Sequence, residues 1–347
     1  MSAGLARLGD RIAAIELPLA DGGDGTLDVL ARYLGGTTRE FSVRNAVGAV
    51  VRARCLWNQR TRVAVIEMAE ASGLKRLAAG ERDPLRSSTF GTGELIRHAL
   101  ALGAREIVIG VGGSATIDGG AGALAALGAA FVDARGARLA PEPAALDACH
   151  AVELAGLDPR LADVSLRVLC DVSVCLSEAG PTFAPQKGVD PGQYAPFATA
   201  LRALDQALWR QTEKHLLEIP WGGAAGGIAA GLNVALGAAL VPGAGTVAEY
   251  ARLPELVREA HRVITGEGRF DETSKMGKVP GVVCRIAAAH GVPCAIIAGQ
   301  LAPGATAPGN GELRALCPDP AAGWDPRETP TLIAQAAYEL GRAWLET

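Results

Sequence analysis

The chain has 347 residues, of which 49% are hydrophobic and 4% aromatic, and its formal net charge at pH 7 is −4. The length allows two domains, abundant Gly and Ala favour α/β layers over an all-β fold, and the absence of a basic run argues against a nucleic-acid partner. Seven scattered cysteines without a CxxC pair indicate a reduced, cytoplasmic protein without a metal-thiolate site.

The first acidic glycine loop of the chain follows a predicted strand. Residues 1–11 predict the end of an amphipathic helix, and residues 12–19 predict the strand. The loop ADGGDGT occupies 20–26, and a helix is predicted from there to residue 34. The two acids, Asp21 and Asp24, suit a cation or a hydroxyl-bearing ligand. A tight turn in which Asp24 or Thr26 caps the helix is the alternative.

A cluster of hydroxyl groups comes next along the chain. It follows predicted strands over 41–57 and 62–68. Ser87, Ser88 and Thr89 precede two glycines at the start of a predicted helix that ends near residue 103. Hydroxyls and free backbone N–H groups at a helix start can bind an anion, and a simple helix cap is the alternative.

The central motif of the sequence is GGSATIDGGAG at 112–122. It lies between a β-branched run at 106–111, a predicted strand, and an Ala-rich run at 121–130, a predicted helix. Glycines and a helix N-terminus can hold an anion. Asp118 beside them favours an intervening cation, and so Mg-phosphate chemistry. Two alternatives stay open. In the first, the glycines serve close packing of the helix on the sheet; in the second, 110–115 is a dinucleotide fingerprint paired with Asp133.

The second half of the chain adds an acid at the end of a strand. A strand is predicted over 165–170, and Asp171 follows it. Since α/β proteins bind ligands at the carboxyl ends of strands, Asp171 is a candidate general base or metal ligand, with a turn residue as the alternative. A long helix is predicted over 191–217. The uncharged run 224–241 contains Asn233 and predicts a buried helix, not a membrane span.

Charged residues are concentrated near the C-terminal end. A helix end and a strand are predicted over 257–265, and the strand runs into the segment GEGRFD at 266–271. Two acids, an arginine and two lysines lie within a dozen residues, which suits a nucleotide phosphate with its metal. The segment is not a Walker A loop, because Lys278 is followed by Val279. A last strand is predicted over 293–298 and a terminal helix over 331–345.

In this order, the motifs resemble the bacterial glycerate kinases of type I. They span most of the chain, and the ordered series is far more specific than any single motif. The motifs are ADGGDGT (20–26), RDP (82–84), GTGE (91–94), GGSATIDGGAG (112–122), CDV (170–172), PQKG (185–188), GAAGG (223–227), TGEGRFD (265–271), GKVP (277–280) and AG (298–299).

The resemblance implies an ATP-dependent kinase that phosphorylates a hydroxyl of D-glycerate with Mg²⁺, with 2-phosphoglycerate favoured over 3-phosphoglycerate as the product. It also implies a two-domain α/β fold. We expect a Rossmann-like parallel-sheet domain built from both chain ends, 1–40 and 260–347, and a larger inserted α/β domain at 41–259. We further expect a cytoplasmic protein without membrane or nucleic-acid partners, with a homodimer as its assembly.

The chemistry of such a kinase assigns the candidate residues. A carboxylate must orient the substrate hydroxyl or take its proton, and basic groups with Mg²⁺ must neutralise the transferring phosphoryl group. The candidate catalytic residues are Asp171 and, as alternates, Asp21 and Asp118. The candidate substrate-binding residues are Arg86, Ser88, Thr89, Gly112, Gly113 and Ser114. The candidate nucleotide-binding residues are Glu267, Arg269, Asp271 and Lys278, of which Glu267 and Asp271 are the candidate metal ligands.

The sequence departs from the family pattern in two places. Family members usually begin with a strand and a lysine-bearing loop of the Pro-Asp-Ser-Phe-Lys-Gly type, whereas this chain starts within the following helix. We expect that Met1 is an internal methionine or that the chain was truncated, with the coding DNA continuing in frame upstream. After CDV the family usually continues Thr-Asn-Pro-Leu, and residues 173–180 differ here. A catalytically inactive kinase relative and an NAD-type oxidoreductase using 110–115 therefore remain the alternatives.

Overall fold

The computed structural model of the chain describes residues 1–171, 173–309, 311–317 and 325–346. Its strands are β1 (Thr37–Arg44), β2 (Val50–Asn58), β3 (Val63–Glu67), β4 (Glu106–Gly110), β5 (Ala130–Val132), β6 (Arg138–Leu139), β7 (Ala151–Glu153), β8 (Ser165–Cys170), β9 (Ala239–Pro242), β10 (Val263–Phe270), β11 (Cys294–Leu301) and β12 (Glu312–Ala315).

The helices alternate with these strands along much of the chain. They are α1 (Ser2–Leu5), α2 (Thr26–Leu34), α3 (Ala69–Ser72), α4 (Phe90–Ala101), α5 (Ala121–Ala126), α6 (Pro143–Leu146), α7 (Leu176–Phe183), α8 (Ala195–Thr212), α9 (Ile228–Leu236), α10 (Gly243–Tyr250), α11 (Leu253–Glu259), α12 (Glu272–Met276), α13 (Val279–Ala289) and α14 (Thr329–Glu346).

Contacts between residues divide the chain into two units. One unit combines Met1–Leu19 with Ala244–Thr347, and the other is Ala20–Gly243. A unit made of both chain ends was predicted, but with boundaries at 40/41 and 259/260. The boundaries of the contact units differ for a physical reason. Helix α2 packs on β2 and β3 of the larger unit, while α10 and α11 contribute to the apolar core around Phe270 in the smaller unit.

The larger unit is built on a six-stranded sheet in the order β1-β2-β3-β4-β8-β9. Strands β3, β4, β8 and β9 are parallel, and β2 runs antiparallel to both β1 and β3. The continuous strand predicted over 41–57 is wrong, because the chain reverses between β1 and β2. The Asn45 carboxamide oxygen makes this turn by accepting the N–H groups of Val47 (3.1 Å) and Ala49 (2.9 Å).

Glycines allow the helices of the larger unit to pack closely. A Cβ on Gly93 of α4 would lie closer than 3.0 Å to the backbone of Ala123 in α5, and a Cβ on Gly231 of α9 would overlap Gly119. These contacts bring neighbouring helices against the central motif, whereas the alternative stated for its glycines was packing of the helix on the sheet. The run 224–241 forms a short 3₁₀ segment, then α9, then β9, and no described helix is long and apolar enough to cross a bilayer.

The smaller unit contains a parallel sheet in the order β10-β11-β12. Helix α13 packs on β10 and β11, and α14 packs on β11. The strand predicted over 12–19 is wrong: this segment joins none of the sheets, and Ile15 is 73% exposed. An apolar pattern can become a strand only where a partner edge supplies hydrogen bonds. Strand β10 also continues through Phe270, beyond the predicted strand end at 265.

Candidate active site

The carboxyl edge of the parallel strands in the larger unit brings the acidic residues together. The loop 20–25 lies against this edge: Gly22 O accepts the N–H of Gly112 just beyond β4 at 3.0 Å, and a Cβ on Gly22 would lie 2.7 Å from Leu169 O in β8. A Cβ on Gly243 beyond β9 would overlap Asp21 O. The acidic loop therefore spans the ends of β4, β8 and β9, which is where α/β folds bind ligands.

Asp21 and Asp171 both lie at this edge. Asp171 follows β8 directly and is exposed. Asp21 is half-buried, and its Oδ1 accepts the N–H of Gly23 at 3.2 Å. Their side chains retain access to a ligand. The catalytic role of either residue stays a prediction, and the geometry supports these two over the third candidate.

Asp118, the third candidate, is fully buried and saturated with hydrogen bonds. Its Oδ2 accepts the N–H and hydroxyl of Thr89 (2.7 and 2.8 Å) and the N–H of Gly122 (3.1 Å), and its Oδ1 accepts the N–H of Gly120 (3.1 Å). Burial raises the pKa of Asp118, and the bonds from Thr89, Gly120 and Gly122 oppose that rise. The structure therefore supports a structural role for Asp118 and not the predicted catalytic or cation-binding one.

Two of the predicted substrate ligands, Ser88 and Thr89, are also engaged in hydrogen bonds within the protein. The hydroxyl of Thr89 donates a hydrogen bond to Asp118 and accepts one from the N–H of Ala123 (2.9 Å). Ser88 is buried, its Oγ accepts the N–H of Phe90 (3.3 Å), and a Cβ on Gly122 would overlap that Oγ. Arg86 is exposed. The helix-start hydroxyls thus clamp α4 to the central motif, and an anion cradle at Ser88 and Thr89 is not supported.

The glycine loop 112–114 is packed between two other segments. Gly112 donates to Gly22, while Gly113, with φ +72°, accepts the N–H of Leu74 (3.0 Å). Ser114 forms an isolated bridge with Gly73. The N–H of Gly112 is therefore engaged within the protein. Gly112, Gly113 and Ser114 line the edge next to Asp21, and their contact with substrate stays a prediction.

Gly112→Ala should strongly lower activity while leaving a folded protein of reduced stability. The added Cβ would lie closer than 3.0 Å to the Cα of Gly23, and backbone cannot yield there without moving the loop that carries Asp21. We expect a loss of activity of at least about tenfold, since small misplacements of catalytic groups are costly. Gly80→Ala is the matched control, because a Cβ at exposed Gly80 meets nothing within 4 Å. Equal activity in both variants would contradict this account.

Two charged residues near the edge were not singled out from the sequence. Glu67 ends β3, is buried, and accepts the N–H of Leu27 at the start of α2 (2.6 Å). Burial raises its pKa, and the charge of Glu70 adds to that rise. The pattern that could have identified Glu67 in the sequence is the one that identified Asp171: an acidic residue at the end of an apolar strand. Lys75 pairs with Asp24 and fixes the outer side of the acidic loop.

Lys187, near the central motif, is a third charged residue that was not singled out as a site residue. Its side chain is 6% exposed, and its Nζ donates to Thr116 O at 2.6 Å. Burial lowers the pKa of Lys187 to about 7, and the charge of Asp118 opposes the shift. In the sequence Lys187 stands in a polar loop, so only its place in the PQKG motif marked it.

The burial of Lys187 predicts a pH-dependent stability. Because the folded pKa of about 7 lies below the unfolded value, the unfolded chain binds more protons between these two values, and stability rises with pH across that window. We expect the free energy of unfolding of the wild type, relative to Lys187→Met, to increase by about 1 kcal/mol per pH unit from pH 7 to 9. Urea unfolding of both proteins at several pH values measures this, and a pH-independent difference would contradict a lowered pKa of buried Lys187.

The predicted nucleotide residues lie in the smaller unit. Glu267 and Arg269 are on β10, and Lys278 directly precedes α13. Asp271 is the N-cap of α12: its Oδ1 accepts the N–H groups of Thr273 (2.9 Å) and Ser274 (3.2 Å). The Thr273 hydroxyl, which also donates to Asp271, is the main cause that lowers the pKa of Asp271. Glu267, Arg269 and Asp271 lie towards one end of β10, and Lys278 acts electrostatically on Asp271.

The two predicted metal ligands do not form one site. Glu267 and Asp271 are four residues apart in extended backbone, which spaces their Cα atoms by about 13 Å. The Oδ1 atom of Asp271 is also engaged in the helix cap. The part of the chain that the structure describes contains no group of three or more His, Cys, Asp or Glu side chains placed for a metal ion. A single carboxylate fits Mg²⁺ that is held chiefly by phosphate oxygens and water, so one of the two, not both, suits the ion.

Comparisons with known proteins agree on one family. The model of the glycerate kinase family matches residues 1–343. Glycerate 2-kinase of Escherichia coli K12 is 39% identical over 290 residues, which cover 83% of this chain and 76% of that protein. Glycerate kinase of Bacillus subtilis is 40% identical over 296 residues, covering 82% and 76%. Glycerate kinase of Halalkalibacterium halodurans is 38% identical over 291 residues, covering 83% and 77%.

A solved structure agrees with the sequence comparisons. A protein from Salmonella typhimurium LT2, provisionally assigned as glycerate kinase 2, superimposes with a TM-score of 0.81 and 34% identity. The match covers 99% of this chain and 92% of that one. The family match over nearly the whole chain, the sequence identities and the shared fold lead to one conclusion. The chain belongs to the glycerate kinase family.

Proposed function

We propose that the protein transfers the terminal phosphoryl group of ATP to a hydroxyl of D-glycerate. The observation that carries the proposal is the pair of accessible carboxylates, Asp21 and Asp171, at the carboxyl edge of β4, β8 and β9. Membership of the glycerate kinase family supplies the substrate and the phosphoryl donor. The name of the Escherichia coli relative, glycerate 2-kinase, supports 2-phosphoglycerate as the product.

Asp171 orients the glycerate hydroxyl and accepts its proton. The hydroxyl oxygen forms a bond to the γ-phosphorus as the bond from that phosphorus to the β,γ-bridging oxygen breaks, and ADP leaves. Asp171 suits this role because it is exposed and directly follows a strand of the rigid sheet. Asp21, anchored by Gly23, positions the substrate from the neighbouring loop.

The nucleotide is held by residues of the smaller unit. Arg269 and Lys278 supply positive charge for the phosphates, and Lys278 precedes an eleven-residue helix whose first N–H groups can add hydrogen bonds. Glu267 or Asp271 provides one carboxylate for Mg²⁺. When bound, the ion neutralises charge on the phosphate oxygens. A cytoplasmic location and a homodimer remain parts of the proposal.

The oxidoreductase alternative is not favoured. The loop at 110–115 that would hold a dinucleotide is covered by the acidic loop, since Gly112 donates to Gly22 and packs on Gly23. A pyrophosphate needs that backbone to be open. The inactive-relative alternative is decided by turnover alone.

Two measurements test the proposed function. A thermal melt with Mg-ATP or NAD⁺ separates the kinase from the oxidoreductase, and we expect protection by Mg-ATP only. A coupled assay of ADP release should show turnover that depends on D-glycerate, with glycerol as the control that lacks the carboxylate. Absence of ADP release by folded protein with D-glycerate would leave the inactive relative as the better account.

A further inference from the structure

Two cysteines of the smaller unit lie side by side as free thiols. Cys284 is on α13 and Cys294 is the first residue of β11. Their Sγ atoms are 3.0 Å apart, which is within hydrogen-bond distance, although the residues are ten positions apart in the chain. The chain turns between them at Gly291, whose φ is +70°. The packing of α13 on β11 therefore holds the two thiols next to each other.

This thiol pair differs chemically from the buried cysteines of the larger unit. The hydrogen bond between the two sulfurs lowers the pKa of Cys284, because the thiol of Cys294 donates to the Cys284 thiolate, and burial opposes this shift. The same bond raises the pKa of Cys294. Burial raises the pKa of both Cys55 and Cys170 to about 12. Since the thiolate is the reactive form, Cys284 is the more nucleophilic sulfur.

A cavity gives small molecules access to the pair. Cys284 and Cys294 are only 1% and 5% exposed, but both line a cavity of about 160 Å³. Ala288 and Gly291 form part of its wall and are exposed, so the cavity reaches the surface of the smaller unit. A water molecule occupies about 30 Å³ in the liquid. The cavity therefore has room for a small neutral oxidant such as hydrogen peroxide.

We propose that Cys284 and Cys294 are a modification site at which hydrogen peroxide forms a reversible intramolecular disulfide. The Cys284 thiolate attacks one peroxide oxygen and the O–O bond breaks. The hydroxide that leaves takes up the proton released by Cys284 and becomes water, and Cys284 becomes a sulfenic acid. Sγ of Cys294 then attacks Sγ of Cys284: the S–S bond forms, the S–O bond breaks, and the hydroxide leaves as water with the Cys294 proton. The two sulfurs lose two electrons in all, and the peroxide gains them.

Inert packing of both thiols in the apolar core is the competing account. Cys284 and Cys294 do belong to the core around Phe270, and free cysteines often act as small apolar residues. In that account the pair stays reduced in the folded protein, and the partly exposed Cys175 and Cys317 react first. The redox site is independent of the proposed function, because it rests only on the geometry of α13 and β11.

The test is mass spectrometry of the folded protein after exposure to hydrogen peroxide and alkylation of the remaining thiols. We expect two peptides linked through Cys284 and Cys294, formed at least about tenfold faster than Cys170 is oxidised, and separated again by dithiothreitol. In Cys294→Ser the reaction should stop at a sulfenic acid on Cys284, which dimedone traps. Cys55→Ala is the matched control, because it removes a buried thiol of the larger unit and should leave the cross-link unchanged.

Each outcome decides the proposal. A cross-link that is absent from the folded wild type, or that forms only in urea, would overturn the redox site. Oxidation of Cys175 or Cys317 while the pair stays reduced would overturn it as well. If Cys294→Ser does not fold, the linked peptides of the wild type and their separation by dithiothreitol decide alone. A reversible cross-link in a protein without turnover would support the redox site and leave the kinase function rejected.

Discussion

Asp171→Asn should lower kcat by about 10²-fold or more while leaving nucleotide affinity nearly unchanged. The carboxamide keeps the size of the side chain but cannot accept the hydroxyl proton, and acid–base catalysis contributes on this scale. Because Asp171 is exposed beyond β8, the substitution should leave folding intact. Steady-state kinetics with D-glycerate, together with titration of Mg-ATP binding, measures both quantities.

Asp21→Asn serves as the comparison for Asp171→Asn. Asp21 lies at the same sheet edge, and as a positioning residue it should mainly raise the KM for D-glycerate. A near-native kcat in Asp171→Asn would remove Asp171 from the mechanism. A large loss of kcat in Asp21→Asn would then move the proton-accepting role to the acidic loop.

Asp118→Asn should destabilise the fold by about 3 kcal/mol or more. All four groups bonded to Asp118 are donors, and a carboxamide presents its NH₂ group to at least one of them. A buried donor without an acceptor costs about 1–3 kcal/mol, and bonds to a charged acceptor are stronger. The free energy of unfolding in urea measures the effect.

The same Asp→Asn change therefore separates the two roles. Asp171→Asn is expected to keep its stability and lose turnover, while Asp118→Asn is expected to lose stability first. If Asp118→Asn were as stable as the wild type and catalytically dead, the structural role inferred from its burial would be contradicted. Asp118 would then return as a catalytic candidate.

The sequence predicted the strands whose pattern is local. The β-branched run at 106–111 and the run at 165–170 became β4 and β8, because strands buried on both faces are continuously apolar. The hairpin between β1 and β2 was missed, since it depends on one side chain, Asn45, that reverses the chain. Strand β9 was missed because its four residues extend an apolar run that continues from a helix.

The site was predictable where it follows from strand order. Asp171 was placed at the ligand edge because it follows a parallel strand, whereas Asp21 was proposed from a loop after a strand over 12–19 that the structure does not contain. The hydrogen bonds that bury Asp118 could not be predicted from the sequence, because its main partner Thr89 lies 29 residues away in the chain. The burial of Lys187 is likewise a tertiary property, because nothing local distinguishes a buried lysine in a polar loop from an exposed one.

The central claim is tested most directly by phosphorus NMR of a mixture of the protein, Mg-ATP and D-glycerate. We predict that the signals of ATP are replaced by those of ADP and of a new phosphomonoester. Coupling of that phosphorus to a single proton would identify 2-phosphoglycerate. A spectrum in which ATP persists, or in which inorganic phosphate forms without a phosphomonoester, would contradict the assignment of this chain as a working glycerate kinase.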